Sequence, residues 1–135
     1  EVKKRAEIIQ KWIDDYCNSV TFELKTLVVG ISGGIDSAVV STLCALTGRK
    51  TIVLSMPIKQ KKNQHDLSII HGTWLTKKFY NVKLSTINLE NTFNEFEKSM
   101  KKFNNEHGFA NSRARLRMTT LYQVASANNG IVVGA

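Results

Sequence analysis

Thr26-Leu27-Val28-Val29-Gly30-Ile31-Ser32-Gly33-Gly34-Ile35-Asp36-Ser37 is the stretch that decides how this chain folds. An apolar, β-branched run enters a glycine-rich turn, and a helical run from Ala38 to Leu46 leaves it. A strand that turns into a helix in this way makes an anion site. The first helical turn carries unpaired N–H donors and the positive end of the helix dipole. Gly33 and Gly34 have no Cβ, so the backbone can curl closely around an anion. Ser32 and Ser37 add hydroxyl donors. Asp36 places a negative charge where an anion is expected, which fits a carboxylate that holds a divalent metal bridging to that anion. The loop is not a Walker A motif, because no Lys-Ser/Thr pair closes it. Nor is it the dinucleotide-binding fingerprint, whose glycine spacing differs. A turn built only for close helix–strand packing would need the glycines but not two serines and an aspartate.

Outward from this loop the chain alternates. Val2 to Cys17 reads as an amphipathic lead-in helix, with Val2, Ile9, Trp12, Ile13 and Tyr16 mostly on one face. Asn18 to Glu23 is a polar break. The first strand spans about Thr26 to Ile31 and the first inner helix about Asp36 to Thr47, with Gly48 expected as a left-handed cap. Thr51 to Met56 reads as the second strand, ended by Pro57, the only proline. A basic loop, Lys59 to Gln64, leads to a helix from about His65 to Phe79, whose apolar stripe is Leu67, Ile70, Trp74 and Leu75. Val82 to Leu89 is the third strand. Asn91 or Thr92 is expected to cap a helix carrying Phe93, Phe96, Met100 and Phe103 as core. Asn104 to Gly108 reads as a loop, and Asn111 as the cap of a helix from Ser112 to Ala127. On that helix Ala114, Met118, Leu121, Tyr122 and Ala125 share one face. Gly130 ends it, and Ile131 to Val133 is the fourth strand.

Short apolar strands separated by helices predict an α/β fold, a doubly wound parallel sheet with helices on both faces. Ligands of such sheets bind beyond the carboxyl ends of the strands. The Gly30–Ser37 loop, the Met56–Gln64 loop and Val133-Gly134 are therefore expected on one edge. A length of 135 residues suits a single domain over 1–135. The chain stops as a strand leaves the sheet on that edge, so the domain is expected to be incomplete at its C-terminal end.

Composition narrows the function classes. The apolar share of 42% and the charged share of 22% are ordinary for a globular protein. No run approaches the ~18 apolar residues of a membrane span, and Glu1 to Arg5 opens no secretory h-region. Cys17 and Cys44 form no CxxC pair, which argues against a disulfide framework or zinc site; a cytoplasmic location is expected. The net charge of +8 suits anionic partners. Its lysine groups, Lys59/Lys61/Lys62, Lys77/Lys78 and Lys98/Lys101/Lys102, read as solvated faces and loop tips. Aromatics do not interleave with them as a nucleic-acid stacking surface requires, so nucleic acid is not the expected partner. His65, His71 and His107 are expected on helix surfaces or in loops, without a role.

Asn111-Ser112-Arg113-Ala114-Arg115-Leu116-Arg117-Met118 is the second motif. Arg113 and Arg117 stand one turn apart, and Arg115 points elsewhere. An arginine holds a phosphate or carboxylate through two parallel hydrogen bonds. Placed at a helix start, three cations oppose the dipole and call for a compensating anion.

Ser-Gly-Gly-x-Asp-Ser after a strand resembles the pyrophosphate loop of the N-type ATP pyrophosphatases. With the arginine helix, Leu121-Tyr122, Val132-Val133-Gly134 and Met56-Pro57, the chain resembles NAD synthetase, over about the front half of a typical member. That resemblance implies an adenine nucleotide alpha-hydrolase-like fold and an amide-forming ligase. The nicotinate carboxylate of deamido-NAD is adenylated by ATP and then aminated by ammonia, with release of pyrophosphate and AMP. It implies ATP phosphates held by Gly30, Ile31, Ser32, Gly33, Gly34, Ile35, Asp36 and Ser37, Mg2+ on Asp36, and deamido-NAD on Arg115. Adenine would lie near Ser55 and Met56, no side chain would act as a nucleophile, and the protein would be a homodimer. The family usually has Gly-Thr where this chain has Gly134-Ala135. Two other readings use the same residues: a tRNA-modifying ATP pyrophosphatase, favoured by the net charge, and a nucleotide-binding module without catalysis.

Overall fold

The computed structural model describes residues 1–20 and 25–134. The elements are α1 (Val2–Ser19), β1 (Thr26–Ile31), α2 (Ile35–Leu46), β2 (Lys50–Ser55), α3 (Lys62–Lys78), β3 (Val82–Thr86), α4 (Glu90–Ser99), a single 3-10 turn (Lys101–Phe103), α5 (Glu106–Ala127) and β4 (Gly130–Val132). Asn18 and Ser19 belong to α1. The rest of the expected polar break, from 21 to 23, lies outside the described residues.

The four strands are parallel in the order β3-β2-β1-β4. The register sets Ile31 beside Ser55 and Ser55 beside Thr86, so the strand ends share one edge. The chain steps outward from β1 through β2 to β3, then crosses to the far side of β1 for β4. That reversal next to β1 is where an open α/β sheet forms its crevice.

Strand side chains alternate between two cores. Leu27, Val29, Ile31 and Val53 pack with Ile13 and Cys17 of α1, Cys44 and Ala45 of α2, and Leu75 of α3. Val28, Ile52 and Leu54 pack with Phe93 of α4 and with Phe109, Leu121 and Ala125 of α5. Helices thus cover both faces, as expected. Both cysteines are free and buried, and burial pushes the Cys44 thiol up to about 12. Gly48 takes the left-handed conformation at φ +78° after α2.

The third strand ends at Thr86, not Leu89, α4 starts at Glu90 behind Leu89 with neither Asn91 nor Thr92 as its cap, and Met118 and Tyr122 of the expected apolar face of α5 are exposed. Three further expectations need correction. First, α5 starts at Glu106, not Ser112, and Asn105 is its cap: the Asn105 side chain accepts the Gly108 N–H at 2.8 Å. Asn111 and His107 are therefore helical. The cap signal stood six residues further upstream, ahead of Glu106 and Gly108. Second, the expected stripe of α3 is mostly outside. Leu75 is fully buried, but Leu67, Ile70 and Trp74 are exposed, and Ser68 and Gly72 face the sheet instead. A Cβ on Gly72 would stand 2.8 Å from Leu84 Cδ1, so the helix lies against the strand through its small residues. Third, of the aromatic series on α4 only Phe93 is fully core; Phe96 and Phe103 are exposed and Met100 is partly buried.

Candidate functional site

The loop after β1 closes on itself. Ser37 is buried in the first turn of α2, and its Oγ accepts the Ser32 N–H at 3.1 Å. The same hydroxyl lies 3.2 Å from Ser32 Oγ and 3.2 Å from the Gly34 carbonyl, to which it donates. Ser32 Oγ in turn accepts the Gly34 N–H at 3.3 Å. Two hydroxyls thus set the shape of the curl.

The two glycines differ. Gly33 has φ +87°, and a Cβ there would run into the Gln64 backbone of α3. Gly34 is extended, at φ −88°, and a Cβ would meet only Ser32 Oγ at 3.4 Å. Left-handed backbone at Gly33 is what turns the strand into the helix. Asp36 sits exposed in the first turn of α2, where the dipole favours its charge. Its carboxylate has no hydrogen-bond or ion-pair partner among the described residues.

A cleft of about 760 Å³ opens above this loop. Gly30 to Ser32, Gly34 and Ser37 form its floor, and Met56 with Ile58 to Lys61 form one wall. Ala114, Arg117 and Met118 of α5 form the other. Gly30 leaves room there: a Cβ would lie 3.1 Å from Met56 Cε. The expected meeting of the first two loops on one edge is present. Val133 and Gly134 leave on the same edge but line a separate cleft of about 560 Å³ with Trp12, Tyr16 and Tyr122. Ala135 lies outside the described residues.

The three arginines divide their work. Arg113 donates to Glu106 Oε1 at 3.0 Å, and its guanidinium lies 5.6 Å from the centre of the Phe93 ring. Arg117 is half-buried; its Nε donates to the Met56 carbonyl at 3.0 Å. Burial, with Arg113 close by, lowers its pKa from the ordinary value. Arg115 is exposed, and its guanidinium has no partner among the described residues. All three stand well inside α5, so the dipole argument for an anion beside them lapses; the first turn holds Glu106 instead.

Sequence reasoning overlooked part of the cleft wall. Arg117, Gln60, Lys61 and Gln64 line it. The signal was the polar run after Pro57 at a strand end. Lys59 is exposed on its loop, as expected, but not free: its Nζ pairs with Glu97 Oε1 at 2.6 Å. His71 is half-buried, with Nε2 2.9 Å from Ser41 Oγ of α2. His65 Nδ1 is buried and has no partner among the described residues.

The donor set suits magnesium, which is held by one or two carboxylates, waters and substrate phosphates. Asp36, exposed in the first turn of α2, is the carboxylate the loop offers to such an ion. No cluster of three or more His, Cys, Asp or Glu able to hold a metal by itself occurs among the described residues.

The NAD synthase family matches residues 5–135. The chain belongs to that family. It is 36% identical over 132 residues to the NH(3)-dependent NAD(+) synthetase of Finegoldia magna, covering 96% of this chain and 51% of the relative. Two solved structures superpose with a TM-score of 0.86. One is an NMN synthetase from Francisella tularensis (30% identity, 98% of this chain and 53% of that one). The other is an NH3-dependent NAD synthetase from Campylobacter jejuni in complex with nitrate (26% identity, 99% of this chain and 56% of that one). The chain thus spans about half the length of these relatives. Its sheet and flanking helices are those of the adenine nucleotide alpha-hydrolase fold that NAD synthetases share. No described helix is long and apolar enough to cross a membrane.

Proposed function

We propose that this chain is the ATP-binding portion of an NAD synthetase, an ATP-dependent carbon–nitrogen ligase that amidates deamido-NAD with ammonia. The observation that carries the reading is the self-closed Ser32–Ser37 curl at the N-terminus of α2, on the carboxyl edge beside the sheet's reversal. In this reading Gly30 to Ser37 receive the phosphates of ATP and Asp36 holds magnesium. Magnesium would supply charge neutralisation on the departing pyrophosphate.

A carboxylate oxygen is a poor leaving group. The nicotinate carboxylate therefore attacks the α-phosphorus, the bond to the β-phosphate oxygen breaks, and pyrophosphate leaves with the electron pair. Ammonia then adds to the acyl carbon, AMP departs with the C–O electrons, and a proton passes to solvent. The chain's share is positioning and electrostatics, from backbone N–H groups and a helix N-terminus aimed at developing charge. No nucleophilic side chain is required. Arg115, exposed on α5, is free to meet the dinucleotide.

A cytoplasmic homodimer goes with this reading. The large apolar side chains left exposed on α2 and α3, among them Ile35, Val39, Ile70 and Trp74, support a covered face there. Light scattering on the full-length gene product tests the dimer.

The deciding experiment is ATP–pyrophosphate exchange by the full-length gene product with magnesium, offered deamido-NAD, its mononucleotide counterpart or bulk tRNA. Exchange that depends on deamido-NAD supports the proposal. Dependence on the mononucleotide alone moves the activity to that of an NMN synthetase, and dependence on tRNA moves it to a tRNA-modifying pyrophosphatase. ATP binding without exchange under any condition leaves a nucleotide-binding module.

A further inference from the structure

The segment from Met56 to Lys61 is a strap across the carboxyl edge of the sheet, and it is tied at both ends. At its start, Arg117 Nε donates to the Met56 carbonyl at 3.0 Å, and Nη2 lies 3.5 Å from the Ile58 carbonyl. Leu89 N–H donates to the Pro57 carbonyl at 3.1 Å. In the middle, Lys59 takes the left-handed conformation at φ +47°, which is unfavourable for a residue with a Cβ. It is held there from two sides by α4: its N–H donates to Glu90 Oε2 at 3.0 Å and its Nζ pairs with Glu97. That turn aims the next side chain back at the phosphate loop. Gln60 Nε2 donates to the Ser32 carbonyl at 3.0 Å, across 28 positions of sequence.

The last bond matters because the peptide unit is planar and trans. The Ser32 carbonyl and the Gly33 N–H point in opposite directions. Holding the first fixes the second, and Gly33 is the residue whose left-handed backbone makes the curl. Among the described residues no carboxylate pairs with Arg117, so its donors serve these carbonyls.

We infer that Arg117 and Gln60 are positioning residues for the phosphate loop, acting through the strap that joins them. This rests on the reading that Gly30 to Ser37 receive ATP. Loss of either end lets the strap relax and the Ser32–Gly33 peptide rotate. ATP then meets a loop it must first order, so its affinity falls while the rate at saturating ATP holds.

The test is calorimetric titration of the full-length protein with ATP and magnesium, for the wild type, Gln60→Ala, Arg117→Met and the double variant. Each single change is expected to weaken ATP about tenfold, the scale of one or two charge-assisted or backbone-fixing hydrogen bonds. The double variant is expected to bind no worse than the weaker single one, because both act through one strap. The KM for ATP should rise by a similar factor while kcat stays within about twofold of the wild type, and the urea midpoint of Gln60→Ala should stay at the wild-type value. Losses that multiply would mean that Arg117 touches the nucleotide directly and would overturn the inference. So would wild-type affinity in Gln60→Ala. That variant changes only a cleft-wall side chain, so it decides the matter alone if Arg117→Met does not fold. A wild-type protein that binds no ATP sinks the underlying reading, whereas a wild type that binds with indifferent variants sinks only the strap.

Discussion

Ser37 Oγ accepts the backbone N–H of Ser32 at 3.1 Å, five residues back, and so the loop after β1 is closed by its own side chain. The hydroxyl is buried, and its own proton lies toward the Gly34 carbonyl. Ser37→Ala strands that N–H, while the Gly34 carbonyl keeps the Ala38 N–H at 3.2 Å. A buried group left unsatisfied costs about 1–3 kcal/mol. The urea midpoint should fall accordingly, with the slope unchanged. An unshifted midpoint would show that water replaces the hydroxyl and that the loop does not depend on it.

The two glycines give a sharper contrast. Gly33→Ala forces a Cβ into left-handed backbone, at about 1–2 kcal/mol, and into the Gln64 backbone as well. Gly34→Ala meets only a serine oxygen at ordinary contact distance, in extended backbone any residue adopts. Thermal unfolding should separate them widely, with Gly33→Ala the lower and Gly34→Ala near the wild type. Equal losses would mean that the curl is not shaped by the Gly33 conformation.

These positions also show what the sequence could carry. The parallel sheet, its two-sided helix packing and the shared edge of the β1 and β2 loops follow from features local to each element. Apolar strands of five or six residues, a glycine turn and alternating helices leave few arrangements. The missed features are long-range. Asn105 and Asn111 are both good cap residues, and local sequence does not choose between them; in the fold Asn105 caps, and Phe109 in the turn it starts packs edge-on against Phe93 of α4. The stripe of α3 misleads because hydrophobic spacing names a face without naming its partner. Gly72 and Ser68 lie against the sheet since they permit close approach, and the bulky residues point away. The bond between Gln60 and Ser32 leaves no trace in sequence at all, since 28 positions separate the pair.

His71 links α3 to α2 through Ser41 Oγ at 2.9 Å, and its ring stacks on Trp74. Ser41 donates to the Ser37 carbonyl at 2.7 Å, so it is free to accept from Nε2. Burial is the main cause that lowers the His71 pKa. The sign follows from proton counting. Above about pH 6.5 the imidazole is neutral in both states and contributes no slope. As pH falls below that value the unfolded chain binds a proton that the folded chain resists, and stability is lost until the lowered folded pKa is reached. Unfolding free energy measured from pH 7.5 to 5 should therefore fall more steeply for the wild type than for His71→Gln. Parallel curves would assign the acid sensitivity to other groups.

Asp36 is exposed and unpartnered among the described residues, so Asp36→Asn should leave the fold intact. The loss of one favourable charge at the start of α2 costs about 0.3–1 kcal/mol. Magnesium-dependent pyrophosphate exchange should fall by two orders of magnitude or more, on the scale of roughly 3–4 kcal/mol lost from a transition-state clamp. Unaltered exchange with the same magnesium dependence would remove Asp36 from the metal site. A large fall in melting temperature would recast it as a structural cap.

Arg115 and Arg113 stand two residues apart on α5 and should respond in opposite ways. Arg113 is tied to Glu106 and lies over Phe93, with a side chain only 19% exposed. Arg113→Ala should lower stability by about 1 kcal/mol, whatever it does to activity. Arg115 lies in the open with no partner among the described residues. Arg115→Ala should unfold within about 0.5 kcal/mol of the wild type, as surface changes do. In steady-state kinetics of the full-length protein it should raise the KM for deamido-NAD more than tenfold and leave the KM for ATP unchanged, because removing a bidentate anion contact costs about 1.5–3 kcal/mol. Equal rises for both substrates would take the dinucleotide away from Arg115 and hand it to the cleft side of the helix, where Arg117 stands.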